Sequence, residues 1–410
     1  MRVLIITDWN RGHGGAEAYI GWLRKGLRDA GDEVHLLTSG AGSAASGTAE
    51  QAAPGTENRI AQTFLQIANP FAARTVKRAV HTFRPDVVYV NMFAHHLSPI
   101  IFQATGDLPV VLGVSDYKCI CPIGSKLLRD GTICTVQAGW ICCTAGCVSV
   151  PHWLRDNPRY ALLRLGIARS ASVVTCSEWV RKELELSGIT ADVIQLPVPS
   201  PGAQFRRVKS PNPSFLYTGR LHRDKGVEHL LRAFTLILPA CPTATLRIAG
   251  AGEEQERLEA MAASLGISGS IRFLGWLEPP EIERELGTAW TLVAPSLWAE
   301  PLGLVALEAL VRGVPVIASA TGGFAETVED GVTGRLVPNG DVDALATAMA
   351  AVADRSFSAE IPLERVKAVR VRHDMKGHIT KLRERFELLR EGAVARAALA
   401  EAQSEEGPRG

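Results

Sequence analysis

Two acids, Glu300 and Glu308, and two cations, Arg220 and Lys225, are the side chains of this 410-residue chain best spaced to do chemistry together. Glu308 is the one polar side chain in the run GLVALEALV, 303–311. That run reads as a helix from near Gly303 to Arg312, stopped by Gly313 and Pro315. Leu304 and Glu308 are four apart and share a face. A carboxylate among Leu304, Leu307 and Val311 is costly to bury without a partner. Two readings follow: Glu308 caps or pairs with another element, or it waits at a cleft for a ligand rich in hydroxyl donors. Glu300 lies in the preceding loop, with Pro295, Ser296 and Pro301. Between the two acids, the first turn of the helix offers free N–H groups and positive dipole potential, which suit a phosphate.

The cations stand in GRLHRDKG, 219–226, just after the apolar run SFLYT. Arginine can bind two oxygens at once, and lysine acts as a mobile point charge. On one short loop they make a diphosphate clamp, unless Asp224 pairs with one of them at the surface.

The elements that must hold these loops are an alternation of strands and helices. Strands are expected at Arg2–Thr7, Glu33–Thr38, Asp86–Asn91, Pro109–Val114, Ser172–Cys176 and Asp192–Leu196. A second series follows at Ser214–Thr218, Thr245–Ala249, Ile271–Leu274, Thr291–Ala294 and Pro315–Ala318. Such continuous apolar runs belong to parallel strands covered on both faces. The fold class is therefore α/β, with two doubly wound, Rossmann-like domains facing across a cleft. Residues 1–200 form the first domain and 201–372 the second, joined by a linker carrying Pro197, Pro199, Pro201, Pro211 and Pro213. A helix at 373–392 packs back toward the first domain, and 393–410 is a disordered tail. Gly12, Gly14 and Gly15 follow the first strand without the G-x-G-x-x-G spacing. They serve close backbone approach to a ligand or simply a tight turn. Gly40–Asn58 reads as a mobile loop. The D-x-D at Asp341 and Asp343 precedes an apolar helical run and reads as an N-cap.

The segments GRLHRDKG (219–226), GAGEE (250–254), FLGWL (273–277), PSLWAEPLGLVALEAL (295–310), GVPVIAS (313–319), GG with Glu326, and DGVTGRLV (330–337) are similar to those of glycosyltransferase family 4, of the GT-B fold. GGAE (14–17) and the Ser177–Glu178 turn fit as well. The resemblance implies a retaining enzyme of polysaccharide, lipid-linked glycan or natural-product biosynthesis. It would move a sugar from a nucleotide-diphosphate donor without a metal held by D-x-D, and would need no cofactor. It implies that Arg220 and Lys225 hold the diphosphate and stabilise the leaving nucleotide. Glu308 would take the ribose hydroxyls and Glu300 the donor sugar. The backbone at Gly303 and Leu304 would face the phosphate or sugar, and Leu274, Gly275 and Leu277 would line the base. Gly14 and Gly15 would let the first domain close on the donor. Family members often carry a histidine before the aspartate of the turn after the fourth strand, where this chain has Ser115–Asp116. Either these two do the positioning, or His95 or His96 approaches from the neighbouring strand end. The alternatives are another GT-B enzyme, a phosphorylase or epimerase, or an inactive partner subunit that binds a nucleotide or glycan.

Six of the eight cysteines fall within 119–147: Cys119, Cys121, Cys134, Cys142, Cys143 and Cys147. They could hold a structural zinc, stay as thiols, or form disulfides. The stretch 151–170 carries Arg155, Arg159, Arg164 and Arg169 among apolar residues. It reads as an ordinary packed helix or as a peripheral contact with an anionic membrane surface, beside a lipid-linked acceptor. A net charge of +1 gives no global drive toward nucleic acid. The short apolar start reads as a strand rather than a signal peptide. With no long apolar run, the expected location is the cytoplasm, peripheral to the inner face of the membrane.

Overall fold

A computed structural model describes residues 1–8, 15–39, 49–55, 58–94, 96–357 and 360–405. Gly12, Gly14, His95 and much of the Gly40–Asn58 stretch lie outside the described residues.

The first sheet has seven parallel strands: β1 (Arg2–Thr7), β2 (Glu33–Ser39), β3 (Gln51–Ala53), β4 (Val87–Asn91), β5 (Val110–Val114), β6 (Ser172–Thr175) and β7 (Asp192–Val193). Their order is β3-β2-β1-β4-β5-β6-β7. The second sheet has six parallel strands: β8 (Ser214–Thr218), β9 (Thr245–Ala249), β10 (Ile271–Gly275), β11 (Thr291–Ala294), β12 (Val316–Ser319) and β13 (Gly334–Val337). Their order is β10-β9-β8-β11-β12-β13. Strand order reverses between β1 and β4 and again between β8 and β11. At such points the connections diverge and leave a crevice at the strand C-termini. Asp8 stands at the first crevice, and the loops bearing Lys225 and Glu300 stand at the second.

Two strands depart from expectation. Gln51–Ala53 lies inside the stretch expected to be a loop and pairs with Leu37–Ser39 at the sheet edge. Gly334–Val337 pairs with Val316–Ser319 and closes the other sheet.

The chain crosses between domains twice at one place. Val198 N–H donates to the His373 carbonyl at 2.9 Å, and His373 Nδ1 lies 2.9 Å from the Leu196 carbonyl. The helix Met375–Glu405 then lies against the first domain. Its Ile379, Leu382 and Phe386 join that domain's core. His378 bridges Tyr19 Oη at 3.1 Å and the Gln195 carbonyl at 2.8 Å, and Arg383 pairs with the buried Asp32 at 2.9 Å. The helix runs past the expected break at residue 392, because the alanine-rich stretch that follows has high helix propensity. No described helix is long and apolar enough to cross a membrane.

The C-terminal edges of the two sheets meet. Tyr117 Oη donates to the Ala299 carbonyl at 2.8 Å, and Ser177 Oγ donates to that of Pro301 at 2.5 Å. Glu326 of the second domain accepts the N–H groups of Glu178 and Trp179, capping a helix of the first.

Candidate active site

The second-domain half of the site is built by two loops that only glycine lets close. Gly226 has φ 67°, and a side chain there would begin 2.0 Å from the Pro295 carbonyl oxygen. Closure brings Lys225 to Glu300. Lys225 Nζ donates to Glu300 Oε1 at 2.6 Å, and Ser296 Oγ donates to the same oxygen at 2.7 Å. The two side chains are only 15% and 12% exposed. Burial acts to raise the Glu300 pKa. The Lys225 charge and these hydrogen bonds outweigh it and hold the carboxyl below its usual range. Lys225 Nζ also sits 4.8 Å from the centre of the Trp298 ring, a cation–π contact. Asp224 pairs with neither loop cation; it lies 2.6 Å from His222 Nδ1.

Arg220 is exposed and has no ion pair among the described residues. Its loop adjoins the end of β10: Gly250 N–H donates to the Gly275 carbonyl at 2.7 Å, and Gly250 is packed on the Gly219 carbonyl. Leu274, Gly275 and Leu277 are half-buried beside it. This places the residues expected to line the base next to one of the expected diphosphate cations.

The helix carrying Glu308 is shorter than expected, Leu304–Leu310. Gly303 stands before it at φ 78°. The Glu308 carboxylate is half-buried and has no hydrogen bond or ion pair among the described residues. The reading in which it pairs with another element is overturned. Arg312 reaches only its main-chain oxygen, at 3.0 Å, and pairs with Glu283 at 2.5 Å. Burial raises the Glu308 pKa, with the Arg312 charge opposing. Among the described residues the acid thus has the Arg312 charge nearby but no hydrogen-bond donor of its own. From the first domain, Gly15 approaches this helix: a side chain there would begin 2.8 Å from Leu304 Cδ1.

The first-domain half is a pocket at the ends of β4 and β5, lined by Met92, Phe93, Ser115, Asp116, Lys118 and Leu163 among others. Of the residues that could stand in for the missing family histidine, Ser115 and Asp116 line this pocket, and His95 lies outside the described residues. His96 is not on its lining. It is 5% exposed, and its N–H donates to Asp8 at 3.0 Å, so neither a solvated role nor a pocket-facing one fits.

Three interacting charged residues, of which Lys118 lines this pocket, are absent from the sequence reading as site residues. Asp8 is fully buried and accepts the His96 and Leu97 N–H groups. Burial pushes its pKa to about 7, against those bonds and the Lys118 and Arg159 charges. Burial also lowers Lys118 to about 8, with Asp8 opposing. Arg159, 8% exposed, comes from the basic helix. An acid directly after the apolar run of β1, and a lysine two residues from Asp116, were the signals available.

All eight cysteines are free thiols. Among the described residues, no group of three or more His, Cys, Asp or Glu is placed to hold a metal ion. Of the three readings of the cysteine segment, the zinc one has no assembled ligand set among the described residues, and no disulfide joins these cysteines in the structure. Asp341 accepts the Ala344 N–H at 2.9 Å and is an N-cap, as expected. The basic helix is Val150–Arg169; it turns Asp156, Arg159, Leu163 and Gly166 inward. Val150, Leu154 and Leu165 remain exposed on it, with Arg164 and Arg169.

Comparison with known proteins bears on the family and the fold. Residues 14–199 match the family described as Glycosyl transferase 4-like domain, and 203–364 match Glycosyl transferases group 1. The chain is 35% identical to a glycogen synthase of Mycobacterium tuberculosis over 302 residues, 71% of this chain and 65% of that one. It is 34% identical over 211 residues to a GDP-mannose-dependent alpha-(1-6)-phosphatidylinositol monomannoside mannosyltransferase of Mycolicibacterium smegmatis, 47% of this chain and 55% of that one. The chain thus spans about two thirds or less of these relatives' lengths. Its fold is similar to sucrose-phosphate synthase from Thermosynechococcus elongatus, with TM-score 0.72, 20% identity and coverage of 95% and 99% of the two chains. It is also similar to Anabaena HepE solved in complex with UDP, with TM-score 0.69, 20% identity and coverage of 94% and 100%. With one family's domain before the linker and the other's after it, in a GT-B arrangement, this chain belongs to the group 1, 4-like glycosyltransferases.

Proposed function

We propose that the protein transfers a sugar from a nucleoside diphosphate sugar to a hydroxyl of a glycan or lipid-linked acceptor, with retention of anomeric configuration. One observation carries this reading: around one crevice stand a buried ammonium–carboxylate pair (Lys225–Glu300) and, without an ion pair among the described residues, a cation (Arg220) and a carboxylate (Glu308). The chemistry divides naturally among them. Arg220 and Lys225 oppose the charge that develops on the departing diphosphate. Glu308 accepts ribose hydroxyls in an otherwise apolar setting. Glu300, kept ionised by Lys225, faces the sugar. The pocket at Ser115, Asp116 and Lys118 receives the acceptor. The names of the relatives support the donor class, since they include a GDP-mannose-dependent enzyme and a UDP complex.

The wild-type protein should release a nucleoside diphosphate from UDP-glucose, GDP-mannose or another sugar nucleotide, read by a coupled nucleotide assay. No release from any sugar nucleotide, with and without glycan extracts as acceptor, would overturn the reading.

The same proposal places the first domain against an anionic membrane. Val150, Leu154 and Leu165 with Arg164 and Arg169 form one exposed face. Phe71, Arg74, Lys77 and Arg78 on the helix Pro70–Phe83 form another. The expected result is co-sedimentation with anionic vesicles at ~50 mM salt and its loss at ~500 mM, where surface charge is screened within about 4 Å. Absence of binding at low salt sinks this part.

A further inference from the structure

The loop that carries Glu300 is gripped by the first domain on both sides of the acid. Tyr117 Oη holds the carbonyl of Ala299 and Ser177 Oγ that of Pro301, at 2.8 and 2.5 Å. The intervening Glu300 carbonyl accepts Gly323 N–H of its own domain at 2.6 Å. Three successive carbonyls are therefore fixed, two of them by side chains from across the cleft. Tyr117 is fully buried, and its ring stands edge-on to Trp298, with centroids 6.0 Å apart and an interplanar angle of 89°. The face of Trp298 in turn carries Lys225 Nζ. One side chain of the first domain thus touches both the backbone beside Glu300 and the ring beneath Lys225.

The position of Tyr117 in the chain gives this contact its meaning. Its two neighbours, Asp116 and Lys118, line the first-domain pocket. A strand end that turns alternate residues to a pocket and to the opposite domain cannot move one without the other. We infer that Tyr117 is a positioning residue: it holds Glu300 and Lys225 in register with whatever occupies the Ser115–Lys118 pocket, and Ser177 is the second clamp. This inference rests on the donor reading given above. Removing the Tyr117 hydroxyl leaves the ring against Trp298 but frees the Ala299 carbonyl. The acid and its lysine then sample geometries that still bind a nucleotide but are wrong for transfer.

The test uses the full chain as wild type, Tyr117→Phe, Ser177→Ala and Ser177→Thr. UDP and GDP binding is followed by calorimetry, and nucleotide release from UDP-glucose and GDP-mannose by initial rates. Tyr117→Phe and Ser177→Ala should bind the nucleotide within about twofold of wild type while kcat falls about tenfold or more and KM hardly moves. Ser177→Thr, which keeps a hydroxyl, should restore most of the rate. Because Ser177 Oγ also caps a helix by accepting the Val180 N–H, Ser177→Ala is read on affinity and kcat alone. A merely structural role would lower affinity, kcat and thermal stability together in Tyr117→Phe, and that result overturns the inference. So does a wild-type kcat in Tyr117→Phe. Failure of the wild type to bind either nucleotide or release it from any sugar donor rejects the donor reading itself, and the inference with it.

Discussion

Lys225→Ala is expected to lower turnover about a thousandfold, equivalent to ~4 kcal/mol of transition-state stabilisation. Two losses combine. The ammonium that would meet charge leaving with the diphosphate is gone. In addition, Glu300 keeps its buried position but loses its ion pair. With Lys225 removed, burial, already the largest single influence on Glu300, loses its main opposition, and the pKa should rise relative to wild type. Because the ionised acid is the working form, the residual rate of the variant should climb as pH rises through the raised Glu300 pKa, and a rate that falls over that range would contradict this role. Lys225→Arg keeps the charge but spreads it over a planar fork, and should recover only part of the rate. Steady-state kinetics on the three proteins checks this. Turnover of Lys225→Ala within about threefold of wild type would remove Lys225 from the chemistry.

Glu308→Ala should weaken nucleoside diphosphate binding about thirtyfold, ~2 kcal/mol, the scale of hydrogen bonds accepted by a charged group. Its effect on kcat should be small, because the ribose lies away from the bond that breaks and is held equally in ground and transition states. The same change should stabilise the unliganded protein. The Glu308 pKa is raised by burial, so the folded state binds this proton more tightly than the unfolded chain does. Ionisation above the ordinary carboxylate pKa of about 4.3 then costs stability. The melting temperature of wild type relative to Glu308→Ala should therefore fall as pH rises from about 4 to 7. Weaker binding in a more stable protein marks a residue kept for a ligand. Equal nucleotide affinity in both proteins would withdraw the ribose role.

How much of this was readable from the sequence depended on the range of the interactions. Arg2–Thr7, Ser214–Thr218, Thr245–Ala249 and Thr291–Ala294 have the bounds expected from apolar runs alone. Strands buried on both faces carry their environment in their composition. Gln51–Ala53 could not be read that way, because its residues are weak strand formers and only its pairing at the sheet edge extends them. Glu308 stood out since one acid in an apolar helix breaks a local pattern. The Lys225–Glu300 pair joins loops 75 residues apart. Each loop was recognisable, but the choice of Glu300 over Asp224 as partner depends on how the loops close at Gly226. Asp8, Lys118 and Arg159 come from three elements, and no single window contains their arrangement. Tyr117 follows the Ser115–Asp116 turn with nothing local to mark it, and its contact with the Ala299 carbonyl needed the second domain in place.

The central claim is that the crevice after β8 and β11 binds a nucleoside diphosphate through Arg220, Lys225 and Glu308. Calorimetric titration of the wild-type protein with UDP, GDP and ADP tests it most directly. The expected result is saturable one-site binding of at least one of them, with affinity reduced in Glu308→Ala and falling as salt rises, because two cations meet the diphosphate. The contradicting result is no heat and no saturation with any of the three, or binding that Glu308→Ala and Arg220→Ala leave unchanged.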